Sequence, residues 1–153
     1  MKKDIITRVA AIADTIQVKL MNVEKNSKYV ADIFKCVSDE GVNIDMISSV
    51  ILEDEMRIDF TCDGSDQKKL NHAIAKIKEK HPRIVIYVTK SVGKLIIEGN
   101  MKEEIGIASE IFGILGEAMI PFTQVTTSET SISFVVEKDH LQTAYNKLKE
   151  EMI

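Results

Sequence analysis

The chain has 153 residues, of which 44% are hydrophobic and 29% charged, with a formal net charge of −4 at pH 7. That balance fills one ordinary core or two small ones and excludes a disordered or fibrous chain. The mild acidity argues against a surface built to track phosphates, so no nucleic-acid partner is expected.

The apolar run at 84–88 falls far short of the roughly 20 residues a membrane helix needs, and no membrane association is expected. Met1-Lys2-Lys3-Asp4-Ile5 lacks the apolar stretch of a secretory leader, which points to the cytoplasm. Cys36 and Cys62 are too few for a disulfide scaffold and too far apart for paired metal ligands, so both are read as free thiols.

Two periods alternate along the chain. Residues 5–12 and 15–23 read as strands, split at Ala13-Asp14, with Ile16, Val18 and Leu20 alternating against Gln17 and Lys19. Val30, Ile33, Phe34 and Val37 then fall on one helix face, and Gly41 stops that helix. Strands at 44–52 and 56–62 follow, joined through Glu53-Asp54-Glu55, with Ile58, Phe60 and Cys62 alternating along the second. Asp63-Gly64-Ser65 offers a cap for a helix carrying Leu70, Ala73, Ile74 and Ile77, which Pro82 ends before a strand at 84–89.

The second half repeats this order. A strand at 94–98 leads to a helix with Ile107, Ile111, Phe112 and Leu115. Strands at 122–127 and 130–136 follow, and Asp139 with Gln142 gives a capping-box-like start to a last helix carrying Leu141, Ala144, Tyr145 and Leu148. Ile33-Phe34 matches Ile111-Phe112, Ile58-x-Phe60 matches Ile132-x-Phe134, and Leu70-x-x-Ala73 matches Leu141-x-x-Ala144. The expected fold is therefore α+β: two ferredoxin-like βαββαβ units with helices on one face of an antiparallel sheet. The second copy lacks a final strand, and the segment at 5–12 is a spare one. An open sheet edge is a liability, so the N-terminal strand is expected to complete the second unit. The first domain, 14–90, would then be inserted into the second, 5–12 plus 91–153.

No catalytic set is expected. His72, His81 and His140 share no spacing that a zinc site uses, and no Gly-Lys-Ser/Thr follows Gly99 or Gly106. Neither a metal nor another cofactor is implied. Two strand-to-helix loops remain, which aim the free N–H groups of a helix start at one point and suit an anion such as an amino acid's α-carboxylate. Beside them stand Asn43 and Asp45 in the first copy and Thr123 and Gln124 in the second.

Gly41-Val42-Asn43-Ile44-Asp45-Met46-Ile47-Ser48 closely resembles the first ACT domain of aspartate kinases, and Thr126-Thr127-Ser128-Glu129 with Ile132-Ser133 resembles the second. The resemblance covers nearly the whole chain as the regulatory part of that enzyme. It implies paired ACT domains that bind an end-product amino acid of the lysine or threonine class, pair as a homodimer, and pass inhibition to an aspartate kinase catalytic chain. The chain itself is not expected to be an enzyme. The alternative is a non-sensing ACT dimerisation module with degenerate ligand loops.

The chain departs from the family at both loops. Lys25-Asn26-Ser27-Lys28 stands where the family has Asp-Lys-Pro-Gly, so a long side chain replaces the glycine that lets a ligand approach the backbone. Ile97-Glu98-Gly99-Asn100-Met101 stands for Val-Gly-Ala-Gly-Met, Ile105 replaces the usual Pro, and Pro121 replaces an Asn, while Gly106 is retained. The ligand is accordingly expected at the second loop, on Asn100, Met101, Ile105, Gly106 and Ile107, with Thr127, Ser128 and Glu129 facing its ammonium group. Asn43 and Asp45 remain candidates in the first copy. Glu98 adds a negative charge that disfavours a bare carboxylate nearby, although it could pair with a ligand ammonium.

Overall fold

The computed structural model describes residues 5–153. In chain order the elements are β1 (Ile6–Val23), α1 (Ser27–Asp39), β2 (Asp45–Ile51), β3 (Met56–Asp63), a short 3-10 turn (Gly64–Asp66), α2 (Gln67–Lys80), β4 (Val85–Gly99), α3 (Ile107–Glu117), β5 (Gln124–Thr127), β6 (Ser131–Glu137) and α4 (Lys138–Met152). The architecture is α+β, with antiparallel strand pairs and helices packed on them. The chain divides into two compact units. One is Asp14–Lys90; the other takes the residues up to Ala13 together with Ser91–Ile153.

In the Asp14–Lys90 unit the strands lie in the order β2-β3-β1-β4. Val18 pairs with Phe60 and Leu20 with Ile58, so the period of two sends all four side chains to one face. There they meet Ile33 and Val37 of α1 and Leu70, Ala73 and Ile77 of α2, every one of them fully buried. Asn26 starts α1, and its side-chain oxygen accepts from the N–H groups of Lys28 and Tyr29. Asp63 caps the 3-10 turn through Ser65 N–H before α2 begins.

In the second unit the order is β1-β4-β6-β5. Leu95 pairs with Phe134 and Ile97 with Ile132, and Ile107, Ile111 and Leu115 of α3 and Leu141, Ala144 and Leu148 of α4 bury against them. Ile6 and Val9 belong to this core. The residue pairs that match between the sequence copies occupy matching places: Phe60 and Phe134, Leu70 and Leu141, Ala73 and Ala144 are each buried in the core of their own unit.

Three sequence expectations need correcting. The break expected at Ala13-Asp14 does not exist, since β1 is one 18-residue strand whose halves serve different units. Small and polar side chains there interrupt the apolar pattern, but strand pairing is a backbone property and continues through them. β4 likewise joins the strands expected at 84–89 and 94–98 into one of 15 residues. The Asp139–Gln142 capping box is not formed. β6 runs directly into α4, the N-cap position falls on Glu137 without a side-chain cap bond, and Asp139 lies in the first turn. There its charge complements the helix dipole instead.

Candidate functional site

The loop between β4 and α3 is pinned at its start. Asn100 N–H donates to the Ile5 carbonyl at 3.2 Å, and Met101 N–H donates to the Glu129 carbonyl at 3.0 Å, which holds the loop against the β5–β6 turn. Asn100 Nδ2 donates to Glu103 Oε1 at 2.9 Å. Lys102 Nζ closes the same gap with an ion pair to Glu129 Oε1 at 2.7 Å, both side chains being well exposed. An open groove of about 560 Å³ lies here, lined by Thr7, Glu98, Gly99, Asn100, Lys102, Glu129, Thr130 and Ser131.

The loop ends at Gly106, the N-cap of α3, whose φ of 96° lies in the left-handed region that glycine alone enters without strain. No side chain caps this helix start, and a Cβ built on Gly106 meets nothing within 4 Å. Open space thus lies beside Gly106 at the N-terminal end of the α3 dipole, and the first turn of the helix also carries Glu110. Ile107 anchors that turn in the core at 1% exposure, while Ile105 is fully exposed.

The matching loop of the Asp14–Lys90 unit is closed. Asn26 Oδ1 accepts from Lys28 N–H at 2.8 Å and Tyr29 N–H at 3.3 Å, so its own side chain occupies the α1 start. Lys25 Nζ donates to the Leu52 carbonyl at 3.1 Å and ties the loop to the β2–β3 turn. Lys28 is exposed. Asn43 and Asp45 are exposed near the start of β2 in this unit, where the Asp45 carbonyl accepts from Thr61 Oγ1. They are thus in a different unit from the other candidates.

Asn100 and Glu129 line one groove, and Met101 reaches it through its backbone bond to Glu129. Ser128 does something not foreseen: its hydroxyl accepts from Thr130 N–H at 3.2 Å and Ser131 N–H at 3.1 Å and shapes the turn. Thr127 ends β5, exposed, opposite Ile132. Two cations were missed. Arg8 Nη1 pairs with Glu98 Oε1 at 3.0 Å, and Lys102 pairs with Glu129, so both carboxylates assigned to a ligand ammonium already have protein partners. Arg8 is 90 residues from Glu98 and carries no motif, so no sequence signal exposes that pair. Among the described residues no three His, Cys, Asp or Glu side chains gather as metal ligands would. No helix there is long and apolar enough to cross a membrane.

Residues 95–152 match the family model for the ACT domain. The chain is 25% identical over 151 residues to an aspartokinase of Corynebacterium glutamicum, covering 96% of this chain and 36% of that protein. It is 25% identical over 152 residues to aspartokinase 2 of Bacillus subtilis, covering 98% of this chain and 37% of that protein. The chain thus spans just over a third of these relatives' length. The ligand-free regulatory subunit of aspartate kinase from Thermus thermophilus superposes with a TM-score of 0.85 at 18% identity, over 97% of this chain and 99% of that one. A chain of a structure of aspartokinase alpha and beta subunits gives 0.83 at 21% identity, over 95% of this chain and 97% of that one. At such identities the superpositions speak for the fold.

Proposed function

From a chain homologous along nearly its whole length to the regulatory region of aspartokinases, we propose an amino-acid-sensing regulatory protein. It consists of two ACT domains, the first (14–90) inserted into the second (5–12 plus 91–153). In the cytoplasm it takes a small amino acid of the lysine or threonine class and passes the signal to an aspartate kinase catalytic chain. It transfers no phosphoryl group itself, because no residues for holding a metal nucleotide can be assigned in it.

The observation that carries this reading is the contrast between the two helix starts. α1 is capped by its own Asn26, whereas α3 starts at Gly106 with no side-chain cap and open space around it. A ligand carboxylate is favoured at the second, where free N–H groups and the helix dipole add. Asn100, Met101, Ile105 and Ile107 surround this start in sequence, and Thr127, Ser128 and Glu129 supply the facing turn. A homodimer is part of the proposal. β2 is an edge strand of its unit and exposes Ile47, Val50 and Ile51 at 55%, 58% and 68%, an apolar edge that pairing would cover.

A thermal-shift screen against the twenty amino acids tests the sensing. A ligand binding only the native state adds about 2.7 kcal/mol at 100 times its dissociation constant. Silence across the whole set would leave the second reading, a non-sensing dimerisation module. The pairing of Glu98 and Glu129 with Arg8 and Lys102 favours that alternative.

A further inference from the structure

The sheet of the Asp14–Lys90 unit carries a groove of its own on the face turned away from its helices. Lys19 alternates with the buried Val18 and Leu20, so it stands on that outer face, and it pairs directly across from Asp59 of β3. Ser48 of β2 meets Asp59 from the other side, and Arg57, two residues along β3, is opposite Val50. With Met21, Ser49, Tyr87 and Thr89 these residues line an open groove of about 560 Å³. Small-molecule sites occupy roughly 300–1,000 Å³.

The charges favour an anion. Lys19 and Arg57 both flank the Asp59 carboxyl, which burial raises above its ordinary value although the two cations pull it down. One recessed carboxyl between two cations leaves the groove net positive. Glu55 Oε1 reaches Arg57 Nε only at 3.7 Å, the long end of an ion pair. A phosphate has oxygens enough to take a guanidinium and an ammonium at once, through charge-assisted hydrogen bonds. The opposite side favours a flat ring. Tyr87 is 57% exposed, and Met21 lines the same hollow beside it; an open aromatic face and a thioether both suit stacking. Strands lie about 4.8 Å apart, so β4 with Tyr87 is one spacing from Lys19 and two, or roughly 10 Å, from Arg57. That is further than the ring and carboxylate of one benzoate reach, and the hydroxyls of Ser48, Ser49 and Thr89 fill the lining between. Past Met21 and Tyr87 an adjoining hollow carries Glu53, Asp54 and Glu55, whose charges keep a phosphate from that end.

We propose that this groove binds a nucleoside monophosphate, its base on Tyr87 and Met21, its phosphate on Lys19 and Arg57, and its sugar among the three hydroxyls. A single nucleotide needs two well-placed cations, not the basic surface that a nucleic-acid polymer demands, so the chain's net charge of −4 is no obstacle. The site lies wholly within the Asp14–Lys90 unit and uses neither helix start. It is therefore a second input of different chemistry, and it stands or falls separately from amino-acid sensing.

Calorimetry of the full chain in low salt against AMP, GMP, CMP and UMP tests it. At least one binds, and the matching nucleoside and inorganic phosphate each bind at least tenfold more weakly. Lys19→Ala/Arg57→Ala weakens that binding at least tenfold and Tyr87→Ala at least fivefold, while Tyr87→Phe, which keeps the ring, and Lys147→Ala, on α4, stay within twofold. Amide shifts of the wild-type chain on titration confine the site without any substitution: they move at Lys19, Ser48, Arg57 and Tyr87. Silence of all four nucleotides overturns the proposal. So does binding that survives Lys19→Ala/Arg57→Ala, or shifts that fall on other residues. Inorganic phosphate binding as well as the nucleotide reduces the groove to an adventitious ion only and overturns it too. Dimerisation weakened by Tyr87→Ala with no nucleotide bound assigns this face to a second copy of the chain instead.

Discussion

His81 Nε2 lies 2.7 Å from Asp32 Oδ2 and ties the residue that ends α2 to the middle of α1. The Tyr29 ring packs on the imidazole at 4.2 Å between centres, and Lys80 Nζ stands 3.4 Å from the other carboxylate oxygen. The hydrogen bond from His81, with the Lys80 ammonium beside it, holds the Asp32 carboxyl below its ordinary value against the opposing effect of desolvation. A carboxyl depressed by folding contributes stability above its unfolded pKa, roughly 3.9, and loses it as pH falls through the folded value. Asp32→Asn therefore lowers the urea midpoint at pH 6, and its difference from wild type shrinks toward pH 3. An equal difference at both pH values counts against the pair.

The Cys62 thiol is pushed up to about 11, chiefly by burial and further by the Asp66 and Asp63 carboxylates. Only the thiolate is an effective nucleophile, so in the folded chain at pH 8 Cys62 stays essentially unreactive toward an aromatic disulfide reagent. Denaturation in guanidinium releases the reactivity of both cysteines. Rapid labelling of Cys62 in the native chain at pH 8 is the outcome against this.

The glycines predict opposite signs for one substitution. Gly99→Ala presses its methyl on the Ile5 carbonyl and the Ile6 backbone, which cannot move aside as a side-chain end can. A loss of about 1–3 kcal/mol is expected, as for overpacked cores. Gly113→Ala and Gly116→Ala sit in open helix and gain about 0.5–1 kcal/mol each in a chain diluted to monomer. Thermal melts at low concentration separate the two classes, and a destabilised Gly116→Ala would show an intrachain neighbour not accounted for above.

Periodicity made the helices and the β3 and β6 strands legible, because each buries one side: Ile58 and Phe60, or Ile132 and Phe134, alternate with outward residues. It broke β1 and β4 in the middle, where burial shifts from one core to another while the backbone pairing runs on. At the candidate site Gly106 was legible because the resemblance retains it and a glycine leaves room for a ligand, while its left-handed backbone came only from the structure. Asn26 as the cap that closes the other helix start follows from its residue type, yet a cap and an empty loop read alike until the side chain is placed. Arg8 and Lys102 were invisible because ion pairs across strands and turns leave no spacing to find.

The last prediction separates the two loops. Valine at Gly106 must adopt the 96° φ or rebuild the turn, a strain of about 1–2 kcal/mol for a residue with a Cβ, and its branched side chain shields the α3 N–H groups. Lys28 sits at a helix start whose Lys28 and Tyr29 N–H groups already bond to Asn26, so truncating its exposed side chain removes nothing from the open site. By calorimetry, Gly106→Val abolishes any amino-acid binding found in the screen, while Lys28→Ala leaves affinity within a few-fold. A melt within a few degrees of wild type shows that Gly106→Val still folds. If Lys28→Ala loses the ligand and Gly106→Val keeps it, the site belongs to the first loop, and Asn43 and Asp45 become the residues that hold it.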